Sequence, residues 1–164
     1  MNGILLDTNV VSETVRAEPD ANVMAFLSSQ PNLWLSVIAL HELEYGIGLM
    51  APGRRRDVIA SAVGMLASGV RRIVPVGPAE AEHAAELRAN ARRAGRTLDL
   101  GDALIAATAG VRRLAVATRN VSDFEGLDLR LINPWDYMGD VLTAMPADGG
   151  EFERLDVRPR DVEL

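Results

Sequence analysis

Four acidic residues lie far apart in the chain, each within an otherwise apolar or small-residue stretch: Asp7, Glu42, Asp102 and Asp123. The sequence pattern places each of them near the end of a predicted strand or the beginning of a predicted helix. A carboxylate beside core-forming segments is energetically costly unless a partner offsets its charge. Because carboxylate oxygens suit a hard divalent cation, the four residues are candidate ligands of Mg²⁺ or Mn²⁺ at one shared site.

Asp7 directly follows the apolar run Ile4–Leu6, which predicts a buried strand. The next helix is predicted to begin near Asn9, with Thr8 as its cap. Asp7 itself could either cap this helix or bind the metal, and its place after a buried strand favours the role of ligand.

Glu42 lies one to two turns into a predicted helix that follows Ser36 and continues to about Met50. A glutamate on a mostly apolar helix face needs a partner. Glu44, two positions later, points elsewhere and is expected to be exposed.

Asp99 and Asp102 are three positions apart at the beginning of another predicted helix. A structural pairing that resembles a capping box explains Asp99 well, as the N-cap of that helix. It explains Asp102 less well, because Gly101 and Ala103 beside it leave open space of the kind that a metal ion and a substrate need.

Asp123 follows three polar residues, Thr118, Arg119 and Asn120, at the end of an apolar run. Their side chains suit contacts with metal-bound water or with phosphate. Taken alone, Asp123 could equally be an ordinary loop aspartate.

The composition excludes several other chemistries. The chain has no cysteine, which excludes disulfides, thiolate catalysis and cysteine zinc sites. It also has no lysine, so a phosphate loop ending in Gly-Lys is impossible, and phosphatases of the haloacid-dehalogenase type and receiver domains are disfavoured. His41 and His83 are isolated and are expected to be structural or exposed.

Short apolar runs alternate with helical patterns along the chain, which predicts a three-layer α/β/α fold with a mainly parallel central sheet. The sites of such sheets lie at the carboxyl ends of the strands, where Asp7 and the segment 118–123 fall. The predicted strands are Ile4–Leu6, Leu33–Leu35, Ile73–Val76, Leu114–Ala117 and Leu129–Ile132.

The size of 164 residues predicts a single domain, and the net charge of -6 is unevenly distributed. Residues 139–164 hold seven acids against three arginines, a balance of -4, and residues 138–164 are predicted to form an acidic appendage, disordered or packed on a partner. Four arginine groups could line a phosphate path, although helix dipoles explain most of them: Arg54–Arg56, Arg71–Arg72, Arg92–Arg96 and Arg112–Arg113. With neither a signal peptide nor an apolar run of about 18 residues, we expect a cytoplasmic protein without a membrane span.

Taken in order, four segments resemble the PIN-domain nucleases, most closely the VapC-like and FitB-like toxins of bacterial toxin–antitoxin pairs. Asn133-Pro134-Trp135 also matches a common closing segment of that family, so the resemblance covers residues 3 to about 137 and defines a domain at 1–137. The four matching segments are Leu5–Glu13, Leu35–Gly46, Asp102–Ala109 and Ala117–Phe124.

The resemblance implies that Asp7, Glu42, Asp102 and Asp123 form an acidic pocket that binds Mg²⁺ or Mn²⁺. It also implies that polar neighbours support the ligands or contact the substrate, and these are Thr8, Asn9, Asp99, Thr118 and Asn120. Family members cut single-stranded regions of RNA, usually as dimers, and a VapB-like or FitA-like antitoxin inhibits them by placing an arginine-bearing segment at the pocket.

Two alternatives remain open from the sequence. One is a solitary nuclease of the PIN type without an antitoxin, and the other is a non-catalytic module whose acids bind a structural ion or a basic peptide. Metal-dependent loss of intact RNA, with EDTA as the control, separates the enzymes from the binding module.

Overall fold

Five short runs of mostly apolar residues form one parallel sheet, as the alternation of strands and helices predicts. The computed structural model describes residues 3–138, so residues 139–164 of the predicted acidic appendage lie outside the described part of the chain. The strands are β1 (Ile4–Leu6), β2 (Leu33–Ser36), β3 (Arg72–Val74), β4 (Ala115–Ala117) and β5 (Leu131–Ile132).

The strands have the order β3-β2-β1-β4-β5, and all four neighbouring pairs are parallel. β1 is therefore central, and its last residue, Leu6, lies beside Leu35 of β2 and Ala117 of β4. Because parallel strands end at the same edge of a sheet, the residues that follow β1, β2 and β4 are neighbours there.

Helices cover both faces of this sheet, which confirms the predicted three-layer fold. Leu5 contributes to a core on the face packed by α5 and α6, whereas Ile4 and Leu6 contribute to a second core beneath α1, α2 and α3. The helices are α1 (Thr8–Thr14), α2 (Ala21–Ser29), α3 (Val37–Leu49), α4 (Arg54–Gly69), α5 (Pro78–Arg93), α6 (Leu100–Arg112) and α7 (Val121–Phe124), followed by a 3₁₀ turn at Pro134–Asp136.

The main differences from the predicted element boundaries are at β3, β5 and α1. β3 ends at Val74 rather than Val76, because Pro75 has no N–H to donate to a neighbouring strand. β5 covers only Leu131–Ile132. Helix α1 begins at Thr8, and its cap is Asp7 rather than Thr8, since the Asp7 carboxylate accepts the Thr8 N–H.

Within residues 3–138, no helix has both the length and the apolar character that a membrane crossing requires.

Glu80 joins the beginning of α5 to the end of α6. Its buried carboxylate accepts the Gly77 N–H at 2.9 Å and lies 3.0 Å from Nη2 of Arg112. The backbone N–H groups of Gly77 and of Glu80 itself, and then the Arg112 charge, hold the pKa of Glu80 below its ordinary value of 4.5.

Glu80→Gln is expected to lower the free energy of unfolding by about 1–3 kcal/mol at neutral pH, because charged hydrogen bonds to a buried carboxylate are lost. A lowered folded-state pKa gives stability above pH 4.5 that disappears as the pH falls through the folded-state value. Urea unfolding of wild type and variant should therefore converge in acid. Glu82→Gln, an exposed position on the same helix, is the control, and an equal loss in both variants would contradict this role for Glu80.

Candidate active site

The central strands bring Asp7 and Thr118 together at one edge of the sheet. Asp7 follows β1 and donates its N–H to the Ala117 carbonyl at 3.0 Å, and Thr118 follows β4 and donates its N–H to Ile132 at 2.9 Å. Both side chains are buried, and the Thr118 hydroxyl donates to Oδ2 of Asp7 at 2.7 Å.

Short hydrogen bonds from neighbouring polar groups fix the Asp7 carboxylate. Oδ1 accepts the Thr8 N–H at 2.7 Å, and Oδ2 accepts Nδ2 of Asn9 at 2.7 Å. The Asn120 N–H donates to the Thr118 hydroxyl at 3.0 Å, which closes the network around Asp7. Burial raises the pKa of Asp7, and the charge of Glu42 adds to this rise, although the hydrogen bonds from Thr118, Thr8 and Asn9 oppose it.

Glu42 reaches the same edge because α3 begins immediately after β2. Ser36, the last residue of β2, caps the helix by accepting the Ala39 N–H at 3.0 Å, so Glu42 lies in the second turn. The Thr8 hydroxyl donates to the Glu42 carboxylate. A Cβ added to Gly101 would lie 2.5 Å from Oε1 of Glu42, so the carboxylate occupies the space that this glycine leaves free.

Asp102 lies half-buried in the first turn of α6, where other carboxylates surround it. Burial first, and then the charges of Asp7, Asp123, Asp99 and Glu42, raise its pKa from 3.8 to about 6. Among the neighbouring charges, that of Asp7 raises the Asp102 pKa most, so the carboxylates at this edge lie close enough to repel one another.

A cavity of about 380 Å³ opens at this edge of the sheet. Its wall contains most of the predicted site residues, together with five others, of which only Arg119 is suggested by the sequence, as a contact for phosphate or metal-bound water. The predicted residues are Asp7, Thr8, Asn9, Glu42, Asp102 and Asn120, and the additional residues are Ser12, Glu13, Arg16, Arg119 and Trp135.

Three predicted site residues do not line this cavity. Thr118 is buried and supports Asp7 through its hydroxyl group. Asp99 is the N-cap of α6 and accepts the Gly101 N–H at 2.8 Å, which is the structural role foreseen for it. Asp123 is exposed in α7 and reaches the site only through the effect of its charge on Asp102.

Some of the additional cavity residues could have been predicted from their spacing in the sequence. Ser12 follows Thr8 and Glu13 follows Asn9 at intervals of four, so a helix after β1 places them on the same side as the predicted residues, and Arg16 comes just after the end of that helix.

The donor groups around the cavity fit a hard divalent cation in their chemistry. They are carboxylate, hydroxyl and amide oxygens, and a cation would offset the charges of the four carboxylates that, after burial, raise the pKa of Asp102. Among residues 3–138, no group of three or more His, Asp or Glu side chains is already arranged to hold an ion. Mg²⁺ needs only one or two carboxylates, because it keeps several of its waters.

A family model described as "PIN domain" matches residues 4–128. The chain belongs to the PIN-domain family. Among its relatives, "VapC ribonuclease Y4jK" of Sinorhizobium fredii is 38% identical over 81% of this chain and 98% of its own length. "Toxin FitB" of Neisseria gonorrhoeae is 36% identical over 80% of this chain and 98% of its own length.

A solved structure, "FitAcB from Neisseria gonorrhoeae", superposes on this chain with a TM-score of 0.75. It is 35% identical, and the match covers 81% of this chain and 99% of the solved chain. The predicted resemblance to the VapC-like and FitB-like proteins is therefore confirmed.

Proposed function

We propose that this PIN-domain protein is a metal-dependent endoribonuclease toxin that hydrolyses phosphodiester bonds in single-stranded regions of RNA. The observation that carries the proposal is the convergence of Asp7, Glu42 and Asp102 on one cavity. The similarity of the chain to a VapC ribonuclease and to toxin FitB, over about four fifths of its length, supports this activity.

Asp7, Glu42 and Asp102 would hold a Mg²⁺ or Mn²⁺ ion, with Asp123 contributing its charge from α7. Such an ion, when bound, lowers the pKa of a coordinated water and offsets the charge that develops on the leaving oxygen. The chain orients these groups in advance: Thr118, Thr8 and Asn9 fix the Asp7 carboxylate, and the Thr8 hydroxyl fixes Glu42.

Neutralisation by a cognate VapB-like or FitA-like antitoxin is part of the proposal. A cavity with several carboxylates suits an inhibitory segment that carries an arginine, because the guanidinium group binds carboxylates in bidentate pairs. We include a homodimer as the assembled form and the cytoplasm as the place of action. The domain then comprises residues 1–137.

A cleavage assay with matched glutamate variants tests the activity. Wild-type protein should cut a single-stranded RNA oligonucleotide in Mg²⁺ or Mn²⁺ and should stop when EDTA is added. Glu42→Gln should reduce cleavage by about 100-fold or more, since even groups that only support metal ligands contribute about 10- to 100-fold. Glu44→Gln, at an exposed position two residues away on the same helix, should retain full activity.

Cleavage that persists in EDTA, or that Glu42→Gln leaves intact, would overturn the metal-dependent mechanism. Metal binding without any loss of intact RNA would indicate the non-catalytic module instead. A protein that cuts RNA but is not inhibited by any antitoxin encoded beside it would indicate a solitary nuclease.

A further inference from the structure

Two arginines line the carboxylate cavity: one pairs with a carboxylate, and the other lies over an aromatic ring. Nη1 of Arg16 lies 3.3 Å from Oε2 of Glu13, whose carboxylate is buried, so the two charges offset each other. The Arg119 guanidinium instead lies over the Trp135 ring, 5.2 Å from its centroid. Within residues 3–138, Arg119 forms no ion pair with a carboxylate.

The local structure holds the Arg119 backbone and its aromatic support in place. The Arg119 N–H donates to Oδ1 of Asn9 at 3.2 Å, so the residue is tied to the network around Asp7. Nδ2 of Asn22 donates to the Trp135 carbonyl at 2.9 Å, and the Trp135 N–H donates to Oδ1 of Asn133 at 3.2 Å. These bonds hold the Trp135 backbone in place, and the guanidinium that lies over its indole ring is at the wall of the cavity.

This placement matters because the rest of the cavity repels nucleic acid. Asp7, Glu42 and Asp102 carry negative charge, and the phosphates of RNA carry negative charge as well. A divalent ion among the carboxylates would offset this repulsion at the scissile phosphate only. The neighbouring phosphate of the strand needs another cation, and Arg119 supplies the one cavity-lining guanidinium without a carboxylate partner in the described part of the chain.

We propose that Arg119, held against Trp135, binds the RNA phosphate next to the scissile one and so sets the register of the strand in the cavity. This inference rests on the proposed ribonuclease function. Arg119 is a binding and positioning residue in this scheme, because its guanidinium contacts a phosphate at which no bond is broken.

The salt dependence of RNA binding tests the assignment without relying on cleavage. A labelled single-stranded RNA oligonucleotide is titrated with the full chain carrying Asp102→Asn, which keeps the RNA intact, in Mg²⁺ at several salt concentrations. In this background Arg119→Gln should weaken RNA binding several-fold at low salt. It should also make the negative slope of log K against log [salt] shallower by about 0.7, which is the contribution of one phosphate contact to a single strand. Arg119→Lys should keep the slope, because it keeps the charge.

Arg130→Gln is the matched control, since it removes the same charge from an exposed arginine outside the carboxylate cavity. Equal slopes for Arg119→Gln and Arg130→Gln would overturn the phosphate assignment. Weaker binding with an unchanged slope would also overturn it and would indicate base stacking on the guanidinium. Undetectable RNA binding in the Asp102→Asn background would overturn it too.

The nuclease activity and the phosphate contact of Arg119 can be refuted independently of each other. A wild-type protein that does not cut RNA, together with the expected change of slope, would refute the nuclease and leave the phosphate contact. A wild-type protein that cuts RNA, together with equal slopes, would refute only the role of Arg119.

Discussion

Asp102→Asn is expected to abolish RNA cleavage and, at the same time, to stabilise the metal-free protein. Burial and four surrounding carboxylates raise the pKa of Asp102 from 3.8 to about 6, so its ionised form is disfavoured in the folded state. Asparagine keeps the shape and removes the charge. The full shift would correspond to about 3 kcal/mol, and solvent screening at a half-buried site reduces the expected gain to about 1–2 kcal/mol at pH 7.5.

The raised pKa of Asp102 determines how the stability of the wild type depends on pH. Between pH 3.8 and about 6 the unfolded chain loses the Asp102 proton before the folded chain does, so the stability of the wild type falls as the pH rises. Urea unfolding in EDTA should show variant and wild type with similar stability near pH 3.8 and diverging above it. Asp128→Asn is a suitable control, because Asp128 is exposed and asparagine tolerates its positive φ of 54°.

Magnesium should reverse the order of stability. An ion that binds the folded state stabilises it more the tighter it binds, so Mg²⁺ should raise the unfolding free energy of the wild type more than that of Asp102→Asn. A variant that still cleaves RNA would remove Asp102 from the catalytic group. A variant that is less stable than wild type in EDTA would show that repulsion is not the main effect at this position.

Much of the fold could be predicted because its strands are short apolar runs between clear helical patterns. Ile4–Leu6 and Ala115–Ala117 are hydrophobic without alternation, as expected for strands covered on both faces. The pairing order could not be predicted, because the placement of β1 between β2 and β4 depends on contacts between distant segments. The sequence leaves both Thr8 and Asp7 open as the cap of α1, because the cap depends on the residue at which the backbone leaves the strand.

Some residues of the candidate site could likewise be predicted from the sequence, whereas others reach the site only through the fold. Asp7, Glu42 and Asp102 were recognisable, because a carboxylate in an apolar segment needs a reason to be there. Trp135 was not recognisable as a cavity residue, because only the 3₁₀ turn after β5 returns it to the edge where β1 ends. Asp123 is the weakest of the four candidates in the sequence, since taken alone it fits an ordinary loop aspartate, and α7 leaves its side chain exposed.

Gly101→Ala is expected to reduce cleavage by about 10- to 100-fold while changing the stability by less than about 1 kcal/mol. The added Cβ would lie 2.5 Å from Oε1 of Glu42 and 3.3 Å from Oδ1 of Asp99, so the Glu42 carboxylate must move. The end of a flexible side chain can move at little cost, and alanine favours the helix, so the fold should tolerate the change. The hydrogen bond from the Thr8 hydroxyl to Glu42 would be broken or distorted, which disturbs the metal-binding group.

Two further variants test whether Gly101→Ala acts through the Glu42 carboxylate. Gly64→Ala adds a methyl group to a helical glycine whose Cβ would meet nothing within 4 Å, so it should keep full activity and gain about 0.5–1 kcal/mol of stability. In a Glu42→Gln background, Gly101→Ala should add little further loss, because two changes that act on one group are not additive. Independent, multiplying losses would instead mean that Gly101 serves the substrate directly, since only an effect transmitted through the Glu42 carboxylate disappears when that carboxylate is already impaired.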